Sequence, residues 1–198
     1  MSIAHARFDP LGFATLDWPW LVSLPEEIRL RLLAALIQTV GGQDGPVSLG
    51  QLEALTIGRH WQPPDGQCLH GATLAAGRGA AIVLAREFGR LDMPELLVLP
   101  GTSVVWDRRF RIELMTARPS PLQLGALGPA GLTQIEAAGW RRPEILARAL
   151  WTQPSLLQDG VVLSAPSLGF TRHGAAIACQ CEALPPRFAV LDEDCREP

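Results

Sequence analysis

Apolar positions along this chain recur with two periods, helix-like first and strand-like afterwards. Within residues 25–41 they fall at Ile28, Leu32, Leu33, Ala35, Leu36 and Val40, the three-to-four spacing of an amphipathic helix. Ser23 is placed to cap it, Pro25 sits near its first turn, and Glu26 and Glu27 suit the positive end of its dipole. Gly41-Gly42 ends it. A second helix is predicted from Ser48, with Leu49, Leu52 and Leu55 on its apolar side and Gln51 and Glu53 outward. The two make a helical hairpin across residues 41–47. Residues 1–24, which contain Leu16-Asp17-Trp18-Pro19-Trp20-Leu21, read as an extended lead-in.

After Trp61-Gln62-Pro63-Pro64-Asp65-Gly66 the period shortens. Residues 69–75 and 81–88 read as strands joined by a turn at Ala76-Gly77-Arg78-Gly79. Residues 91–100 are punctuated by proline and read as loop. A second hairpin is predicted from 103–106 and 109–114 around Asp107-Arg108, followed by a short strand at 122–126. Short helices are expected at 128–138 and 143–150, and strands at 161–165 and 175–182. The fold class is therefore α+β: a helical hairpin section over 1–65, a mixed, mostly antiparallel β section with short helices over 66–190, and an acidic, frayed tail at 191–198.

Composition narrows the chemistry. All 17 basic residues are arginine, and lysine, tyrosine and asparagine are absent, as a GC-rich genome produces. Without lysine the chain has no Schiff base and no Gly-Lys-Ser/Thr phosphate loop. The longest apolar runs, such as 32–37, are far too short to span a bilayer. Asp9, Pro10, Asp17 and Pro19 break any secretion-signal core, so the cytoplasm is the expected location, with no membrane partner. That compartment argues against disulfides among Cys68, Cys179, Cys181 and Cys195.

Candidate chemistry is sparse. Cys179 and Cys181 share one face of a strand, and together with His173 and the Cys68-Leu69-His70 segment they could supply four metal ligands, but the single residue between the cysteines is shorter than the spacing zinc sites prefer. Two cysteines packed in a core are the simpler reading, and no metal ligand is assigned. The histidines at 5, 60, 70 and 173 stand near no Gly-x-Ser-x-Gly elbow, and Glu26-Glu27 and Asp192-Glu193-Asp194 belong to a helix start and a tail. Gly125-Ala126-Leu127-Gly128-Pro129-Ala130-Gly131 leads into a helix, but Pro129 removes an amide that a phosphate cradle needs. No catalytic or cofactor-binding residue is assigned. Arginines remain: Arg108, Arg109 and Arg111 after Trp106, Arg141 and Arg142 after Trp140, and Arg86 and Arg90 around Phe88. Guanidinium groups beside aromatics suit phosphate contacts and base stacking, although a net charge of −3 gives no global basic field.

Several segments taken in order carry a resemblance. They are Leu24-Pro25-Glu26-Glu27-Ile28-Arg29-Leu30 with the apolar run to Ile37; Leu69-His70-Gly71-Ala72-Thr73-Leu74 with Ala85-Arg86-Glu87-Phe88; Trp106-Asp107-Arg108-Arg109-Phe110-Arg111; Leu124-Gly125 to Gly131; and Leu163-Ser164-Ala165-Pro166. Over most of residues 20–170 the chain resembles the C-terminal part of bacterial tRNA(Ile)-lysidine synthases, especially alphaproteobacterial ones. The resemblance implies a tRNA-modifying ligase whose N-terminal PP-loop domain uses ATP and lysine to modify the wobble cytidine of a tRNA-Ile with a CAU anticodon. The Ser-Gly-Gly-x-Asp-Ser signature of that domain is absent here, and Gly41-Gly42 is followed by Gln43-Asp44-Gly45. The implied role is non-catalytic positioning of tRNA, not DNA, with Arg108, Arg109, Arg111, Arg141 and Arg142 as candidate phosphate contacts. A homodimer or a PP-loop catalytic domain is an implied protein partner. Three rival readings are a stand-alone binding module working in trans with a PP-loop partner, a small metal-binding protein centred on Cys179, Cys181 and His173, and a truncated reading frame.

Overall fold

Strand-period and helix-period segments meet to bury one another in a computed structural model that describes residues 2–3, 5–56, 65–90, 92–115 and 120–185. The acidic tail, Cys195, His60 and residues 61–64 lie outside the described residues. Contacts divide the chain into two units, one up to Glu87 and one from Phe88 to Leu184.

The first unit begins with β1 (Ser2–Ile3), β2 (Ala6–Phe8) and β3 (Ala14–Asp17). Then come α1 (Trp18–Ser23), α2 (Glu26–Gly41), α3 (Leu49–Thr56), β4 (Gln67–Leu69), β5 (Ala72–Ala76) and β6 (Ala81–Arg86). The strands form one sheet in the order β1-β2-β3-β6-β5-β4, with every neighbour antiparallel. Ala14, Leu16, Ile82, Leu84, Ala72 and Leu74 are buried, and α2 supplies Leu33, Ile37 and Val40 to the same core.

The lead-in expected to be extended is therefore three strands and a helix. Asp17 is the reason for the helix: its carboxylate accepts the Trp20 amide at 3.1 Å while Pro19 occupies the first turn. α2 needs no such cap. It starts after Pro25, carries Glu26 and Glu27 in its first turn, and is closed by Gly42 at φ 63°. Gly41 is packed so closely that a Cβ there would collide with the His70 carbonyl. β4–β6, expected to belong with the C-terminal section, complete the sheet begun by β1–β3, so the contacts divide at residue 87 and not near 65.

The second unit holds β7 (Leu96–Val98), β8 (Thr102–Trp106), β9 (Phe110–Leu114), β10 (Leu122–Ala126), α4 (Gly128–Ala137) and α5 (Ala147–Trp151). It continues with β11 (Pro154–Gln158), β12 (Val161–Ala165), β13 (Phe170–Thr171) and β14 (Cys179–Ala183). Two antiparallel sheets result, ordered β14-β9-β8 and β13-β12-β11-β10-β7. Trp106, Phe110, Ile112 and Leu114 from the first meet Val98, Leu122, Leu124 and Leu156 from the second. A separate core is formed where Leu132, Ile135 and Leu150 of the helices meet Val162. β7 lies in the stretch read as loop: Leu96-Leu97-Val98 is a short apolar run between Pro94 and Pro100 and pairs along β10 at a sheet edge, where flanking prolines cost no ladder bond. The antiparallel sheets and segregated helices make the fold α+β, as expected.

Candidate nucleic-acid interface

The β8–β9 link is the first place where arginines gather. Asp107 and Arg108 both take positive φ, 47° and 56°, and the Arg109 amide donates to the Trp106 carbonyl at 3.1 Å. Positive φ at both central residues is the requirement of a primed hairpin turn, whose twist matches that of the flanking strands. Asp tolerates this region, whereas for Arg108 it is strained. Trp106 anchors the turn from below, with its indole Nε1 donating to the Pro94 carbonyl at 2.7 Å.

Arg109 does not face solvent. It is 3% exposed, and its Nε donates to the Asp107 carboxylate at 2.7 Å. Its Nη2 donates to the Thr152 carbonyl just beyond α5, also at 2.7 Å, and its Cζ lies 5.0 Å from the centre of the Phe110 ring. A charge taken out of water is tolerated here because it is paired, hydrogen-bonded and set against a ring. A guanidinium committed in this way is a tie between the hairpin and the α5–β11 connection. It is not available to a phosphate, so the structure removes Arg109 from the surface candidates.

Arg108 and Arg111 are exposed. Arg111 stands on the outer face of the three-stranded sheet in register with Glu182, 3.8 Å away, and Glu113 follows it on that face. One arginine among two glutamates gives that face no basic character. Arg141 and Arg142 lie elsewhere, after α4, where Gly139 turns the chain at φ 94° and Trp140 donates its indole Nε1 to the Leu168 carbonyl at 3.1 Å. Both are exposed, and Arg142 pairs with Glu136 at 2.7 Å. The five candidate arginines thus separate into a buried tie, two at or after the hairpin turn, and two beyond α4.

The cysteine alternative fares differently. Cys179 and Cys181 are half-buried on β14, opposite Leu114 and Ile112, and they pack on the core between the sheets. Burial pushes both thiols up, Cys181 to about 12, with Arg109 only partly offsetting the rise at Cys181. His173 is exposed, and no group of three potential metal ligands occurs among the described residues. No described helix is long and apolar enough to cross a membrane.

Sequence reasoning missed Asp107 as the partner of Arg109. Strand parity puts residue 109 with 111 and 113 on the outer face, and only the turn breaks that parity. It also missed Arg148, the one charged residue in 147–158.

The chain is 30% identical over 169 residues to the tRNA(Ile)-lysidine synthase of Ruegeria pomeroyi, covering 85% of this chain and 36% of that protein. It is 30% identical over 113 residues to that of Anaplasma marginale, covering 55% of this chain and 24% of that protein. The Rickettsia bellii protein of the same name is 27% identical over 106 residues. The chain therefore spans about a quarter to a third of the length of the curated relatives it matches. No family model and no solved structure matches it.

Proposed function

We propose that this chain is a tRNA-positioning portion of a tRNA(Ile)-lysidine synthase, and that proposal sets the chemistry asked of it. The observation that carries it is similarity over 85% of the chain to a protein of that name. In this reading the ligase reaction, which joins lysine to the wobble cytidine of a CAU-anticodon tRNA-Ile at the expense of ATP, belongs to a PP-loop domain. That domain's Ser-Gly-Gly-x-Asp-Ser signature is absent from this sequence. The chain contributes binding. Arginines on phosphates set the register of the tRNA, which places the reacting base without reading sequence directly. Arg108, Arg111, Arg141 and Arg142 are the exposed members of the candidate set and carry this role. Arg109 supports Arg108 from inside the turn.

The test is the affinity of this chain for a tRNA-Ile transcript, measured across a salt series. The charge-removing pair Arg141→Gln and Arg142→Gln is expected to weaken binding and to lower the salt slope by about one for each lost phosphate contact. Affinity and slope unchanged in that pair, and in Arg108→Gln, would sink the proposal.

A further inference from the structure

We propose that the half-buried ring pair of Phe88 and Trp151, with Arg148 beside it, is a stacking site for an unpaired nucleotide of RNA. This rests on the reading above only in taking RNA as the partner; the residues are different. Phe88 and Trp151 lie 5.9 Å apart, centre to centre, tilted by 59°, so neither ring lies flat over the other. Both keep part of their surface open. Gly128, whose φ of 63° suits glycine, borders Phe88: a Cβ there would meet its Cζ at an ordinary contact distance of 3.5 Å.

One arginine stands beside this pair. Arg148 stands three residues before Trp151 on α5, hence on the same side of the helix, and it is exposed. The stretches that flank the pair on the second unit are poor in acidic residues. Residues 120–135 carry no charge at all, and 147–158 carry Arg148 alone. Asp107, the acidic residue of the neighbouring turn, is paired with Arg109 at 2.7 Å. Open aromatic surface beside a guanidinium group is the chemistry that takes a base on the rings and its phosphate on the arginine, and it is indifferent to which base.

The test uses the whole chain with two probes, a fluorescein-labelled octa-adenylate RNA and a tRNA-Ile transcript. Trp151→Leu is expected to weaken octa-adenylate binding about tenfold, the size of one base–aromatic stack, while Trp151→Phe keeps most of it. Arg148→Glu, an exposed change, is expected to weaken binding and to lower the salt slope by at least about one. Tryptophan fluorescence quenched by the oligonucleotide in the wild type should lose that quenching in Trp151→Phe. If Trp151→Leu does not fold, the quenching and the Arg148→Glu result decide. Octa-adenylate affinity equal in all variants, or quenching that persists in Trp151→Phe, overturns the site. If the tRNA still binds through Arg141 and Arg142 in that case, the proposed function survives its loss. Octa-adenylate effects as expected with no tRNA binding would support the stacking site and end the tRNA reading.

Discussion

Removing Arg109 should cost far more stability than removing any other arginine of the hairpin. Arg109 is 3% exposed and Asp107 is 7% exposed, and the two are joined at 2.7 Å. Truncating one partner leaves the other charge in a low-dielectric site, and breaking such a pair costs roughly 3–5 kcal/mol. Arg109→Ala also leaves the Thr152 carbonyl without its charged donor. Arg111 offers the contrast: its pair with Glu182 is 3.8 Å long and well exposed, a class worth about 0–1 kcal/mol. Against a domain stability of about 5–15 kcal/mol, the first change is a large fraction and the second is small. Urea unfolding of the two single variants separates them. With slopes of about 1–3 kcal/mol/M, Arg109→Ala should lower the midpoint by more than about 1 M, and Arg111→Ala by much less. The double variant Asp107→Ala, Arg109→Met should lose less than Asp107→Ala alone, because no unpaired charge is left inside. Equal midpoints for Arg109→Ala and Arg111→Ala would refute the buried-tie reading.

Thiol labelling at pH 8 of a Cys195→Ser variant should modify Cys68 in the folded protein and reach Cys179 and Cys181 only after denaturation, since burial holds the latter two thiols protonated; rapid labelling of Cys181 would contradict that burial. The Trp20 amide and the His5 ring hold the Asp17 carboxyl below its usual range, so its contribution is present at neutral pH and lost as the pH falls through its folded value. Asp17→Ala should therefore differ most from wild type near neutrality, and the gap should shrink below about pH 4; a gap independent of pH would refute this. Gly41→Ala should destabilise by about 1–3 kcal/mol through its collision with the His70 carbonyl, whereas Gly50→Ala, with open space around it on α3, should be neutral or stabilising by up to about 1 kcal/mol. Thermal melts compare the two, and similar shifts would deny the close approach.

Long-period signals were legible in the residues and short-range reversals were not. α2 follows from its apolar spacing and its glycine stop, and the β8–β9 hairpin follows from alternation around Asp107-Arg108. β11 escaped notice because Pro154-Ser155-Leu156-Leu157-Gln158 does not alternate cleanly; its ladder to β12 shifts register between Leu156 and Leu157. The turn Asp159-Gly160, both at positive φ, was the available signal for that pairing. β1–β3 escaped because each strand is too short to show a period, and only pairing with β6 fixes them. At the candidate interface, exposure of Arg108, Arg141 and Arg142 agrees with their polar setting, while the burial of Arg109 was not readable, because a tertiary partner at Thr152 decides it.

The pairing of β14 with β9 has a consequence for how the chain is made. On a ribosome adding about 5–20 residues per second, β8 and β9 emerge roughly 3–13 seconds before β14 does. During that interval the hairpin waits with the β9 edge open as well as the β8 edge, and with Phe110, Ile112 and Leu114 uncovered on one side. Arg111 and Glu113, alternating with those three, then serve the nascent chain as gatekeepers against edge-to-edge association, before either has a folded surface to stand on.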